Sequence, residues 1–161
     1  MRHDKILDWE TLAGVLEGLR KSGKTIVFTN GCFDLIHAGH VRYLKAAKAE
    51  GDILVLGMNS DESVRMIKGE LRPITPQEQR AEVLAALADV DYVTLFEEPD
   101  PLNLILCLKP DVLVKGADWA EDQIVGADAV KSRGGRVKRV QVVEGASTSG
   151  IIQRILERYR A

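Results

Sequence analysis

Apolar residues in this chain recur in two alternating rhythms. Trp9, Leu12, Val15, Leu16 and Leu19 fall at helical spacing, which predicts a helix over residues 8–20 with Asp8 as N-cap and Ser22-Gly23 as the stop. A short apolar run at 25–28 then predicts a buried strand, and Val41, Leu44 and Ala47 open a helix over 39–50. The same alternation continues with a strand at 53–58, a short helix capped by residues 59–61 and ending near Ile67, and a loop at 68–73. Thr75-Pro76-Gln77-Glu78 reads as cap, first-turn proline and capping-box glutamate of a helix reaching about Ala88. Further strands are predicted at 91–95, 111–114 and 136–142. Helices are predicted at 101–108 and 124–132, and Ser147 caps a last helix running to Tyr159. Unbroken apolar strands between helices predict an α/β fold: a Rossmann-like three-layer α/β/α domain around a mostly parallel five-stranded sheet. Residues 1–161 are read as one domain, with 1–22 a helical extension packed on it.

Composition narrows the class. The 161 residues are 45% hydrophobic and 29% charged, as expected for a folded chain, and the formal net charge of −2 offers no basic footprint for nucleic acid. No apolar run approaches membrane-spanning length, and the start lacks a signal-peptide pattern, so a cytoplasmic protein with reduced thiols is expected. Cys107 lies in an apolar run at 104–108 and is expected to pack as a small core hydrophobe.

The chemistry gathers where strands give way to helices. Residues 29–40 join a strand end, a glycine turn and a helix start, and carry His37-x-Gly39-His40. Such a turn presents backbone N–H groups and a helix dipole to phosphate. Lys68 and Arg72 flank the next strand–helix unit, Lys115-Gly116 follows the fourth strand, and Gly145-Ala146-Ser147-Thr148-Ser149 opens the last helix. Arg80 joins them if its helix end faces inward. Cations and helix N-termini without a nucleophile–base pair suit phosphoryl or nucleotidyl transfer, where positioning and charge stabilisation dominate. Plainer readings stand beside this one. The two histidines could cap a helix or bind metal, although only Cys32 and Asp34 lie near enough in sequence to complete a metal site, and phosphate is favoured. Lys68 and Arg72 could be solvated loop charges, Asp118-Trp119 a packing corner, and Ser147-Thr148 only a helix cap.

The segment 31–40, GCFDLIHAGH, resembles the signature of the HxGH nucleotidyltransferase superfamily in its cytidylyltransferase-like branch. Residues 59–61, Lys68-Gly69 with Arg72-Pro73, Glu78-Gln79-Arg80, 109–119 and 144–152 extend the match. The whole set is most similar to the adenylyltransferases of ADP-heptose synthesis. The resemblance implies a reaction of ATP with a heptose 1-phosphate, giving ADP-heptose and pyrophosphate for surface polysaccharide. It further implies that His37, His40, Lys68 and Arg80 are catalytic, the histidines on the triphosphate. Asn30, Gly31, Cys32, Phe33, Asp34 and Gly39 would form the first nucleotide-contacting turn. Lys115, Gly116, Asp118 and Trp119 would border the base and ribose, and Ser147 and Thr148 would hold the β- and γ-phosphates. Asp34, Lys68, Arg72 and Arg80 would face the second substrate. Mg²⁺ is expected with ATP, without protein metal ligands, and a homo-oligomer (dimer or larger) is implied. Related cytidylyltransferases carry an arginine at the position of Val142, which argues against a CTP-dependent reaction on glycerol phosphate and leaves Lys68, Arg72 and Lys115 to compensate.

Overall fold

The structure, a computed structural model, describes residues 4–160. Five strands, β1 (Ile26–Gly31), β2 (Ile53–Asn59), β3 (Tyr92–Phe96), β4 (Val112–Gly116) and β5 (Arg136–Val140), form one sheet in the order β3-β2-β1-β4-β5. All four pairings are parallel, so the sheet is wholly rather than mostly parallel. Among the described residues, seven α-helices connect and flank the strands: α1 (Trp9–Lys21), α2 (Ala38–Lys48), α3 (Asp61–Lys68), α4 (Gln77–Ala85), α5 (Leu102–Leu108), α6 (Ala127–Ser132) and α7 (Thr148–Tyr159).

Side chains alternate across the strands and build two cores. Val27, Leu54, Leu56 and Val93 pack with Leu44 and Ala47 of α2 and with Ala81, Leu84 and Ala85 of α4. Ile26, Phe28, Val55 and Leu113 point the other way, onto Leu12 and Leu16 of α1 and Leu104, Ile105 and Leu108 of α5. Burial on both faces explains why the strands read as apolar runs without alternation.

Local signals match the observed caps at both ends of the chain. Asp8 accepts the Thr11 N–H at 2.8 Å, and Ser147 accepts the Gly150 N–H at 3.0 Å. Three expectations are corrected. Cys107 is exposed, because the buried face of α5 carries Leu104, Ile105 and Leu108, and the intervening positions turn to solvent. The capping box at Thr75 does not form: α4 begins after Pro76 without a side-chain cap, and the Thr75 N–H is committed to Asp34 instead. The N-terminal extension is not purely helical, since Lys5 and Leu7 exchange backbone hydrogen bonds with Val93 and extend the β3 edge; residues 1–3 lie outside the described residues.

Chain connectivity reverses at β1. The chain leaves β1 through α2 toward β2, while β4 lies on the other side, with Phe28 in register with Leu113. A crevice therefore opens at the carboxyl ends of β1 and β4, where parallel sheets place their ligands.

Candidate active site

The first turn of the crevice is tightly constrained. After β1, Phe33 adopts φ of 48°, a left-handed conformation that non-glycine residues rarely hold and that marks an over-determined turn. A Cβ on Gly31 would stand 2.8 Å from the Phe33 ring, so the glycine leaves room for it. His37 is the N-cap of α2, its Nδ1 accepting the His40 backbone N–H at 3.4 Å. That bond assigns the remaining proton of a neutral His37 to Nε2. The two imidazoles stack with centroids 3.8 Å apart and an interplanar angle of 21°, and Phe33 lies 5.2 Å from His40. Burial pushes the His40 pKa down to about 4, with a smaller contribution from His37, and burial also lowers His37. Both shifts favour the uncharged ring at neutral pH, in which each imidazole keeps one N–H to donate.

A basic wall faces this turn. The Asp34 carboxylate, 3% exposed as a residue, accepts the Ile74 and Thr75 N–H groups at 2.9 Å and Arg72 Nε at 2.5 Å. Burial would raise the Asp34 carboxyl, but the Thr75 and Ile74 N–H groups and Arg72 outweigh it and hold the carboxyl below its usual range. Lys68, at the end of α3, lines the same crevice.

Arg80 sits elsewhere than the resemblance implied. It is 1% exposed and does not line the crevice. Nη1 donates to Cys32 O (2.6 Å) and Asn59 O (2.9 Å), Nε to Thr75 O (2.9 Å), and Nη2 to Asp61 (2.6 Å). Its guanidinium therefore ties the ends of β1 and β2 to the start of α4 from behind the site.

The opposite wall belongs to β4 and the last turn. Lys115 Nζ donates to Asn30 Oδ1 at 3.1 Å and lies 5.6 Å from the Trp119 ring centroid. Burial lowers its pKa, partly offset by Asp118 and Cys32. A side chain at Gly116 would collide with the Asp118 carboxylate and press on Val142, so glycine keeps this corner open. Thr148 Oγ1 donates to Leu35 O at 3.3 Å, drawing the N-terminus of α7 against the histidine turn. Burial raises the Cys32 thiol pKa against the pull of Lys68, Arg80 and Arg72, which disfavours the thiolate a nucleophile needs, and its contact with Asn59 Oδ1 is a long 3.9 Å.

These walls enclose a cleft of about 600 Å³, a volume ordinary for a ligand of nucleotide size. Apart from Arg80, every site residue named from the sequence lines it: Asn30, Gly31, Cys32, Phe33, Asp34, His37, Gly39, His40, Lys68, Arg72, Lys115, Gly116, Asp118, Trp119, Ser147 and Thr148. Sequence reasoning missed Tyr43, Asp100, Gln123 and Val125 on the same lining, and named Asn59 and Ala146 only within the 59–61 and 145–149 segments, without a role at the site. Asn59 ends β2, so the strand-end rule could have found it. The Tyr43 hydroxyl, bonded to Thr29 Oγ1 at 2.8 Å and donating to Val114 O at 3.3 Å, carries no such signal.

A family model described as cytidylyltransferase-like matches residues 28–154. The bifunctional protein HldE of Syntrophotalea carbinolica is 55% identical over 150 residues, covering 93% of this chain and 31% of that protein. HldE of Geobacter metallireducens is 56% identical over 155 residues, covering 96% and 32%. The chain thus spans about a third of the length of these curated relatives. The crystal structure of a lipopolysaccharide core biosynthesis protein from Thermoplasma volcanium superposes with a TM-score of 0.63 at 30% identity, covering 77% of this chain and 100% of that one. A pantoate–β-alanine ligase from Francisella tularensis shares the fold alone, with a TM-score of 0.59 at 17% identity over 94% of this chain and 78% of that one. With the family model spanning most of the chain and the histidine turn, basic wall and α7 N-terminus facing one cleft, the chain belongs to the cytidylyltransferase-like family and is a nucleotidyltransferase.

Proposed function

We propose that this nucleotidyltransferase moves AMP from ATP to a heptose 1-phosphate, releasing pyrophosphate and giving ADP-heptose for surface polysaccharide. The observation that carries the reading is the pair of neutral, stacked imidazoles at a helix N-terminus, facing a wall that carries Lys68 and Arg72. Identity above half with bifunctional HldE proteins, and similarity to a lipopolysaccharide core biosynthesis protein, support ATP and a sugar phosphate as the substrates.

In this reading an oxygen of the sugar phosphate attacks the α-phosphorus in line, and the bond to the pyrophosphate oxygen breaks. Negative charge spreads over oxygens that His37 Nε2–H and His40 face as donors. Neutral imidazoles suit this role, because they hydrogen-bond the developing charge without first giving up a proton. Ser147 and Thr148, at the N-terminus of α7, hold the β- and γ-phosphates through backbone N–H groups. Lys115 has donors to spare beyond Asn30 and meets the nucleotide beside Trp119, while Gly116 and Asp118 border base and ribose. Lys68 and Arg72 meet the acceptor phosphate, and Arg80 acts by positioning.

Magnesium, when bound, neutralises triphosphate charge and orients the leaving group. No cluster of three His, Cys, Asp or Glu side chains capable of holding a metal occurs among the described residues, and both Asp34 oxygens are already engaged. The donor set therefore fits an ion carried in on ATP rather than one caged by protein.

The reading includes one catalytic unit over residues 1–161, a cytoplasmic location set by ATP, and a closed homo-oligomer. No described helix is long and apolar enough to cross a membrane. The test is pyrophosphate release across a panel of ATP, CTP, GTP and UTP with heptose, hexose and glycerol phosphates. Preference for ATP and heptose 1-phosphate is expected, with His37→Ala and His40→Ala folded but slowed by about 10²-fold or more. Preference for CTP with glycerol phosphate, or near-normal turnover in both variants, overturns the reading.

A further inference from the structure

Asp34 lines the cleft, yet its geometry is that of a group already spent. Its two oxygens accept from three donors: the Ile74 N–H, shared between both oxygens, the Thr75 N–H and Arg72 Nε. Its side chain is 1% exposed, against 16% for Arg72. A carboxylate so committed and so buried is poorly placed to meet a substrate hydroxyl, and its charge would repel a phosphate. Arg72 is the reverse case. Only Nε is engaged by Asp34, and its terminal Nη1 and Nη2 have no hydrogen-bond partner among the described residues. A guanidinium anchored through Nε presents its remaining N–H groups as a rigid fork, the arrangement that binds phosphate in bidentate fashion.

The anchor is itself anchored. The Thr75 peptide is gripped on both sides, its N–H by Asp34 and its carbonyl by Arg80 Nε at 2.9 Å. Arg80 Nη1 then returns to Cys32 O at 2.6 Å, two residues before Asp34. The loop over residues 69–76 and the turn over 32–34 are thus closed into one ring of hydrogen bonds, with Arg72 projecting from it into the cleft. Lys68 and the histidines lie on the same cleft.

We propose that Asp34 is a positioning residue rather than a substrate ligand, and that it orients Arg72 as the bidentate clamp on the acceptor's phosphate. This rests on the reading above that the acceptor is a phosphate ester. The nucleotide is held from the other walls, so the Asp34–Arg72 unit sets acceptor affinity and leaves ATP affinity alone.

Two measurements separate this proposal from the reaction it rests on. The first is steady-state kinetics of pyrophosphate release for Arg72→Lys, Asp34→Asn and the double variant, varying ATP and heptose 1-phosphate separately. The KM for the acceptor should rise roughly ten- to hundred-fold in each single variant, the loss expected when a charge-assisted pair is broken, while the KM for ATP moves less than about two-fold. The double variant should be no worse than the weaker single, because both break the same link. The second is calorimetric titration of mannose 1-phosphate and inorganic phosphate into protein saturated with α,β-methylene ATP. The phosphate affinity should fall in Arg72→Lys and Asp34→Asn in parallel, and binding of the analogue should be unchanged. If the native protein transfers no nucleotide to any acceptor and phosphate affinity still falls in both variants, the reaction reading fails and the clamp stands. The clamp is overturned by additive losses in the double variant, by a change confined to ATP, or by phosphate affinity that Arg72→Lys leaves intact. Should Asp34→Asn fail to fold, Arg72→Lys alone decides through the acceptor KM and the titration.

Discussion

Replacing Gly39 by alanine should separate stability from activity. Gly39 occupies the first turn of α2, between the two histidines, with a backbone conformation open to any residue. Alanine there gains at most about 0.5–1 kcal/mol in helix propensity over glycine. The new methyl would lie 2.9 Å from His37 Cε1 and Nδ1 and 3.0 Å from Ala146 Cβ, closer than side chains tolerate. His37 is the neighbour that can swing, and swinging breaks the cap bond from the His40 N–H and the 3.8 Å stack with His40. Loss of a helix cap costs about 1 kcal/mol, which nearly cancels the propensity gain. The net change should stay within about 1 kcal/mol, or roughly 2–4 °C in melting temperature at this chain length. The imidazole, however, moves by the order of 1 Å from the reacting phosphate, a displacement that costs about 10²-fold in rate. Thermal melting followed by circular dichroism, set beside pyrophosphate release at saturating substrates, measures both. A variant with native turnover refutes the reasoning, as does one whose activity falls only because it unfolds.

Acid should destabilise the protein partly through His40. Its folded pKa of about 4 lies below the 6.5 of an ordinary imidazole, so between those limits the unfolded chain binds more protons and stability falls as pH drops. The contribution is complete above about pH 6.5 and lost toward pH 4; urea titrations across that window should show a shallower slope in His40→Gln, and an unchanged slope refutes the assignment. Arg80→Met should cost about 3–5 kcal/mol in urea unfolding, since it leaves three backbone carbonyls and Asp61 without their donor; a loss under about 1 kcal/mol would contradict the clamp geometry. Chelation of divalent cations should abolish nucleotide transfer yet leave the melting temperature of the free protein unchanged, because the described residues build no metal cage; a large drop in melting temperature would reveal one.

Several of these residues were legible at different depths. The apolar run at 104–108 hid which face of α5 turns inward, because Leu106 and Cys107 are as apolar as Leu104, Ile105 and Leu108, and only packing sends them to solvent. Arg80 shares the buried face of α4 with Ala81, Leu84 and Ala85, so periodicity announces a buried arginine while its acceptors stay hidden. Those acceptors lie 48, 21, 19 and 5 residues away, and only the packed sheet brings them within reach. The capping role of the His37 ring was legible only as one alternative for the histidine spacing, because histidine is no common N-cap and its choice of partner depends on the turn that Phe33 forces.

Nearest-neighbour chemistry was sufficient for the alternation of strands and helices, the caps at Asp8 and Ser147, and the glycine turn with its two histidines, since each depends on groups a few residues apart. From these the parallel sheet and a phosphate-binding edge followed. Only the tertiary structure decided the strand order, the meeting of Asn30 with Lys115 across 85 residues, the withdrawal of Arg80 behind the site and the neutrality of the histidines. The physical reason is range. Secondary structure answers to local backbone and periodicity, whereas ionisation and hydrogen-bond partners answer to burial, and burial exists only once the sheet has closed over its two cores.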